Sequence, residues 1–529
     1  MTARLIASIA AAFALLTGCT GPPRPADVVV YASGSDLESA NPLVTIHPLS
    51  RQVQRHVLFV TLVRYDSALT PQPYYARDWT WSTDRRSLTL NLAAGLRWHD
   101  GLPTTSRDVA FTLSAARDPR SGFARAADLA AVDTVVATAP TSLRIHFTTP
   151  QREVPAIFAE LPIIPEHALR DVPMSDMRRA AFNTNPVGNG PFRFVDRVAG
   201  QRWTFARNPD FPREMGGAPS IRELVVTMVD EPTTKFAGLA SGDLDFAGIA
   251  PTMATLANRD PTITVLDYPV LFSVGLVLNV HRPPFDDARV RQAIDLSIDR
   301  KRIVEAALAG YGTPASGPVP PENPLALHAP VGCNPARADS LLDAAGWRRG
   351  PNGRRTREHP FNVELLTVAT GDNAVEQLIQ ADLAERGIQL QIRQVELAAF
   401  LSRARAGQKS FDMLITGVPG DLSLAYVRAM FESSQRGSSL DYSDFHESRL
   451  DALFARARDA RTDAQSREAW QSVQQELARQ VPVVWLYHSR GVQGVSSRMR
   501  NVTMDLRGEL VTVARWTTEA SPNAAVARR

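Results

Sequence analysis

FNVELLTVA (361–369), AVEQLIQADLAER (374–386), IQLQI (388–392), ELAAFLSRARA (396–406) and FDMLITGV (411–418) decide the fold class. The first, third and fifth segments are short apolar or alternating runs of strand length. The second and fourth carry apolar residues at helical spacing. Gly387 stops the first of these helices. Strand, helix, strand, helix, strand predicts an α/β domain with at least partly parallel pairing.

Reading outward, 271–280 is an apolar strand ended by Pro283 and Pro284. Asp287 is placed to cap a helix that buries Val290, Ala293, Ile294, Ile298, Val304 and Leu308. Asn334 and Pro335 open another helix, stopped at Gly346. Residues 482–487 form a last strand. Near the N-terminus, 28–32 reads as a buried strand. Residues 85–99 read as a hairpin, in which Leu88, Leu90 and Leu92 alternate and a turn leads to 96–99. Thr105 and Asp108 have the spacing of a capping box.

The chain has 529 residues, 44% apolar and 21% charged. That is ordinary globular composition and excludes a disordered chain, a coiled coil or a collagen-like fibre. The 58 basic and 55 acidic residues nearly balance at +3, so nucleic-acid binding gains no support. Two cysteines are too few for a disulfide scaffold or a four-cysteine zinc site.

The N-terminus reads as an export signal. Arg4 precedes an apolar run at 5–16 that is too short to span a bilayer comfortably. Leu16-Thr17-Gly18-Cys19 resembles the lipobox of bacterial lipoproteins, with Cys19 the acceptor of lipid. A Pro-rich tether follows. Cys333 is then a lone thiol, expected to pack. Thr20 is not the aspartate of the familiar inner-membrane retention signal, which favours an outer-membrane anchor in a host with two membranes.

No catalytic signature is present: HExxH, GxSxG and GxxxxGK[ST] are all missing. The ten histidines are scattered without metal-ligand spacing, so no metal and no cofactor is expected. His99 reads as a structural hydrogen-bonding residue. Asp243 and Asp245 read as a solvated turn leading into a strand.

Several ordered motifs carry a resemblance. They are 62–66 (LVRYD) with Trp79, Ser82 and Asp84, 95–101 (GLRWHDG) with Asp108-Val109, and 185–192 (NPVGNGPF). Then follow 208–211 (NPDF), 241–245 (SGDLD) and 290–294 (VRQAI). The set resembles the extracytoplasmic solute-binding proteins of family 5, the peptide-binding class that serves ABC importers, over about 28–515. The resemblance implies a bilobal periplasmic-binding-protein-like fold, two α/β lobes joined by hinge segments, with an extra inserted domain. It implies a signal peptide at 1–18 and a lipidated tether at 19–26. Domain I combines 27–57, 189–278 and 486–529; domain II is 58–188; domain III is 279–485. The implied protein is not an enzyme. It is a monomeric, lipid-anchored periplasmic binding protein whose partners are a peptide or other small solute, ABC permease subunits in the inner membrane, and the bilayer through acylated Cys19.

The resemblance also implies ligand contacts. Asp421 matches an aspartate that pairs with the peptide amino group, and it could equally cap the helix suggested by 422–431. Val418 and Pro419 stand where an aromatic and a small residue are usual. His47, in the loop 46–48, and Phe123 match cleft-lining positions. The loop 369–373 lacks the arginine with which dipeptide binders hold a carboxylate, so a strict dipeptide binder is disfavoured. Longer peptides are the first reading, and a non-peptide solute such as an oligosaccharide is the alternative.

Overall fold

The computed structural model describes residues 24–45, 47–330, 332–369 and 373–519. The signal-peptide candidate, Cys19, most of the tether, Ile46, the loop centre at 370–372 and the C-terminal 520–529 lie outside the described residues.

An eleven-stranded sheet organises the described chain. Its strands are β1 (Val28–Ser33), β2 (Phe192–Val198), β3 (Arg202–Arg207), β4 (Glu223–Met228), β5 (Phe246–Gly248) and β6 (Ile263–Leu278). The others are β7 (Gly312–Pro314), β8 (Asn362–Val368), β9 (Gln389–Val395), β10 (Met413–Pro419) and β11 (Val483–Ser496). They run in the order β9-β8-β10-β6-β11-β5-β1-β4-β3-β2, with β7 also on β11. The predicted parallel pairing is present: β8 lies parallel to β9 and β10, and β1 parallel to β4 and β5.

Two strands are longer than their apolar runs suggest. β6 extends back to Ile263 and β11 forward to Ser496, and they pair along most of that length. They are the only two places where the described chain crosses from one half of the sheet to the other. Each half has its own cores. In the second half, Leu276, Leu278 and Leu365 face a helix pair carrying Val290, Ile294 and Ile379. Their neighbours Val277 and Leu366 face the opposite layer with Phe400, Phe454 and Trp470. Alternate residues serving opposite layers is the strand period of two at work. In the first half one face of the sheet joins a large core with Phe59, Trp98, Phe158 and Trp203. The other face packs with Leu239, Leu244 and Ile249.

The 105–108 capping box forms as predicted: Thr105 caps Ser106–Arg117, and Asp108 bonds back to the Thr105 amide. Asp287 caps Ala288–Ser297. The helix predicted to reach Leu308 breaks at Ile298, because the Asp299 side chain accepts from the Arg302 amide and starts a second helix, Arg300–Ala307. The hairpin predicted at 85–99 is also different. Ser87–Leu92 pairs with Ala76–Trp81 and Ser142–Phe147, in a four-stranded antiparallel sheet completed by Val132–Ala139. Gly95, at φ +80°, turns 96–99 away from it. Gly188 and Gly190 lie against the backbone at Leu58. An added Cβ would meet its carbonyl at 2.2 Å and 2.6 Å, so close approach is what requires glycine there. Among the described residues no helix is long and apolar enough to cross a membrane.

Candidate functional site

The two crossing strands leave a waist between the cores. Between Pro269 and Ser273 the pairing of β6 with β11 shifts register. Val270 and Leu271 are half-buried there, and Phe272 is 38% exposed. The Phe272 ring lies across Gly417 of β10, where a Cβ would stand 2.1 Å from it. Val418 and Pro419 follow, paired with Ser273 and Phe272. Val418 is buried in the second half's core, and Pro419 is half-buried beside the waist.

Asp421 lies just beyond. Its Oδ1 accepts from Ser423 Oγ at 2.6 Å and the Ala425 amide at 3.0 Å, and its Oδ2 from the Tyr426 amide at 3.0 Å. These are the first amides of the helix Ala425–Phe431. The carboxylate is buried and takes three donors of its own chain, so it caps this helix. Of about four acceptor positions on a carboxylate, one is left.

Facing Asp421 from the first half is a set of arginines. Arg125 Nη2 donates to Ser423 Oγ at 3.3 Å. Arg125 also pairs with Asp128 at 2.7 Å and with Glu160. Arg51 Nη2 donates to the same Glu160 oxygen at 2.9 Å. Burial pushes the Glu160 carboxyl up, but Arg125, Arg51 and Arg55 outweigh it and hold it at about 2. Burial lowers the Arg125 guanidinium, and Glu160, Asp421 and Asp128 together more than reverse this. Arg55 differs. It lies in a π-helical turn, Gln54–Leu58, and burial and Arg51 bring it down to about 10. No carboxylate among the described residues stands within ion-pair distance of Arg55, and its one described side-chain bond, at 3.4 Å, is to the Arg51 carbonyl. Glu160 Oε1 is likewise buried without a hydrogen-bond partner. A second link between the halves, Arg152 to Asp463, lies nearer the surface.

The other candidates are placed as follows. His47 caps Pro48–Val53, where its ring accepts from the Ser50 amide, and its Nε2 lies 3.0 Å from Ser35 Oγ. Burial lowers its pKa, opposed by Glu38. Phe123 is half-buried against the first half's core, two residues from Arg125. Cys19 lies outside the described residues, and Cys333, expected to pack, is exposed. His99 has the structural role predicted, with Nε2 3.1 Å from the Gly190 carbonyl. Asp243 is exposed, but Asp245 is fully buried rather than solvated. It accepts from the Val30 amide at 2.8 Å and pairs with Arg498 at 2.6 Å. Sequence reading missed Arg51, Arg55, Arg125 and Glu160. The one available signal was the four-residue spacing of Arg51 and Arg55 beside the His47 loop.

A cavity of about 280 Å³ lined by Asp299, Arg300, Lys301, Pro314 and Gly332 lies within the second half, away from this junction. Arg300 there is committed to Asp295 and the Trp485 carbonyl.

Two α/β halves joined by two long strands, with charged groups meeting across the junction, define the bilobal class of binding proteins. Comparison places the chain more closely. The sequence model "Bacterial extracellular solute-binding proteins, family 5 Middle" matches residues 70–438, and the chain belongs to this family. A putative ABC transporter peptide-binding protein of Brucella ovis is 29% identical over 65% of this chain and 64% of its own length, less than two thirds of that protein. Heme-binding protein A of Haemophilus influenzae is 26% identical over 89% of each chain. The oligopeptide-binding protein AppA of Bacillus subtilis, solved with a nonapeptide, superposes with a TM-score of 0.79 at 21% identity, over 93% of this chain and 99% of that one. NikA of Brucella suis, solved with Fe(III)-EDTA, superposes at 0.82 with 19% identity, over 93% and 100%. Family and fold are those of binding proteins, not enzymes.

Proposed function

We propose that this chain is the extracytoplasmic substrate-binding protein of an ABC importer, anchored through acylated Cys19, and that it captures peptides between two closing halves for delivery to a permease. The observation that carries the reading is that the described chain crosses between its halves only on β6 and β11, beside the contact of Arg125 with the Asp421–Ser423 loop. Two strands leave a hinge at 269–273, where pairing lapses. In this reading the division into domains I, II and III follows the boundaries expected above, and ligand held between domains I and III favours the closed form because it touches both.

A peptide fits the charges at the junction. Among the described residues Arg55 lacks a carboxylate and Glu160 Oε1 lacks a donor. A ligand that brings both an acid and an ammonium answers both, and a neutral oligosaccharide does not. Asp421 adds negative charge beside the amine through its remaining acceptor position, while Pro419, Phe272, His47 and Phe123 shape the walls. The relatives described as peptide-binding support the same choice.

The test is native mass spectrometry of the body from Ala26 onward, purified without refolding and then mixed with synthetic peptides of two to nine residues or with malto-oligosaccharides. Peptide adducts weakened at least tenfold in Asp421→Ala support the reading. Adducts with oligosaccharide alone would overturn it in favour of the non-peptide solute.

A further inference from the structure

The far end of the second half holds a cluster that the binding reading does not use. β6 runs five residues on from Ser273 at the waist to its end at Leu278, about 17 Å at the strand rise. Just past it, His281 meets the loop that carries Asp441, Asp444 and His446. One ligand atom from each of these three lies within 4.8 Å of the other two. His446 Nε2 is 3.1 Å from Asp441 Oδ2 and 3.8 Å from Asp444 Oδ1, and the His446 side chain is 1% exposed.

These spacings match a known coordination geometry. Ligands about 2.1 Å from a tetrahedral ion stand roughly 3.4 Å apart. The two measured distances bracket that value with the backbone as it is. The outer atoms of the two carboxylates are also arranged, while His446 Nδ1 is buried without a hydrogen-bond partner. Asp441 Oδ1 accepts from the Asp444 amide at 3.1 Å and its Oδ2 from the Gly437 amide at 2.8 Å, which fixes that carboxylate. His281 Nε2 stands 3.0 Å from the Asp444 carbonyl and 3.3 Å from Asp444 Oδ2, the oxygen that does not face His446. A carboxylate that offers one oxygen inward and is held by its other oxygen is the usual support of a metal ligand. Arg436, 3.3 Å from Asp444 Oδ1, is the group that must give way. Its side chain is 61% exposed, so releasing it to water costs little. Lys409 binds the Asp441 carbonyl, not its carboxylate.

We propose that Asp441, Asp444 and His446 form a site for a divalent transition-metal ion of the zinc class, with His281 supporting Asp444 and water completing the coordination. One imidazole and two carboxylates neutralise the ion and suit zinc better than magnesium or calcium, which take oxygen ligands alone. The site ties the 436–447 loop to the end of β6.

The test uses the untagged chain from Ala26, stripped with EDTA and titrated with Zn(II) alone by calorimetry and native mass spectrometry. One saturable equivalent is expected, with a rise in Tm. His446→Gln and Asp444→Asn should each weaken it at least tenfold. His281→Ala, at an exposed position, should weaken it severalfold without disturbing the fold, so a core variant that fails to fold leaves the proposal testable. Absence of a saturable equivalent in the wild type, or Zn(II) affinity unchanged in the His281 and Asp444 variants, overturns the proposal. Neither result depends on whether the junction binds peptide.

Discussion

Replacing Glu160 by Gln keeps the side chain's size and removes the charge on which Arg51 and Arg125 converge. The carboxyl is held at about 2 against an ordinary 4.5, and its side chain is only 2% exposed. That difference corresponds to on the order of 3 kcal/mol of stability at neutral pH. Breaking a buried ion pair by removing one partner gives a similar figure, about 3–5 kcal/mol. At roughly 2–4 °C per kcal/mol for a unit of this size, Tm should fall by about 6–12 °C at pH 7.5. The pH dependence has a definite sign. The folded pKa is depressed, so the contribution is complete above the unfolded value and is lost as pH falls toward the folded one. About 2 kcal/mol should be gone by pH 3. Calorimetry of wild type and Glu160→Gln at pH 7.5, 5.5, 4 and 3 reads both quantities. A Tm difference under 2 °C at pH 7.5, or one that does not shrink on acidification, refutes the charge argument.

Other consequences follow from the same geometry. Gly190→Ala places a Cβ 2.6 Å from the Val57 and Leu58 backbone, so soluble yield and Tm should drop, by about 3 kcal/mol in stability. Gly407→Ala, with open space around it, should leave both unchanged. Arg125→Ala combined with Arg152→Ala removes the contacts to Ser423 and Asp463 across the junction. Stopped-flow measurement should show at least tenfold faster peptide release, and an unchanged rate would count against closure at this junction. Burial lowers His99 and His488 to about 4. The unfolded chain therefore takes up their protons first, and stability should decline as pH falls from about 6.5 to 4. An NMR titration should find both rings neutral at pH 5.

Local rules made much of the fold legible. Thr105 with Asp108, Asp287 and Gly387 announce helix ends because the capping partners lie within four residues. The strand pattern at 361–418 predicted parallel pairing because each strand is bounded by its own helix and stop signal. The crossing strands were only partly legible. Asp267 and Pro269 interrupt the apolar run of β6, although tertiary pairing with β11 carries the strand through them. The break at Asp299 was written in sequence as an N-cap, but the apolar periodicity across it outweighed that signal. The charged junction was not legible. Arg51 meets Glu160 across 109 residues and Arg125 meets Ser423 across 298, distances at which spacing carries no information. Asp421 was legible as a helix cap because its partners lie within five residues. The helix starts at Ala425, not at 422 as expected, and Asp421 reaches its first amides from four residues upstream, at the boundary between halves.

The central claim is capture by closure, and one distance tests it most directly. Cys333 is exposed on the second half, and Ala199 is exposed on a hairpin of the first. In the chain from Ala26, spin labels on Cys333 and on Ala199→Cys report the separation of the halves by pulsed electron resonance. The account predicts a broad distribution without ligand that narrows and shifts to a shorter distance with a bound peptide. The same distribution in both states, with peptide binding verified in the labelled protein, would contradict it.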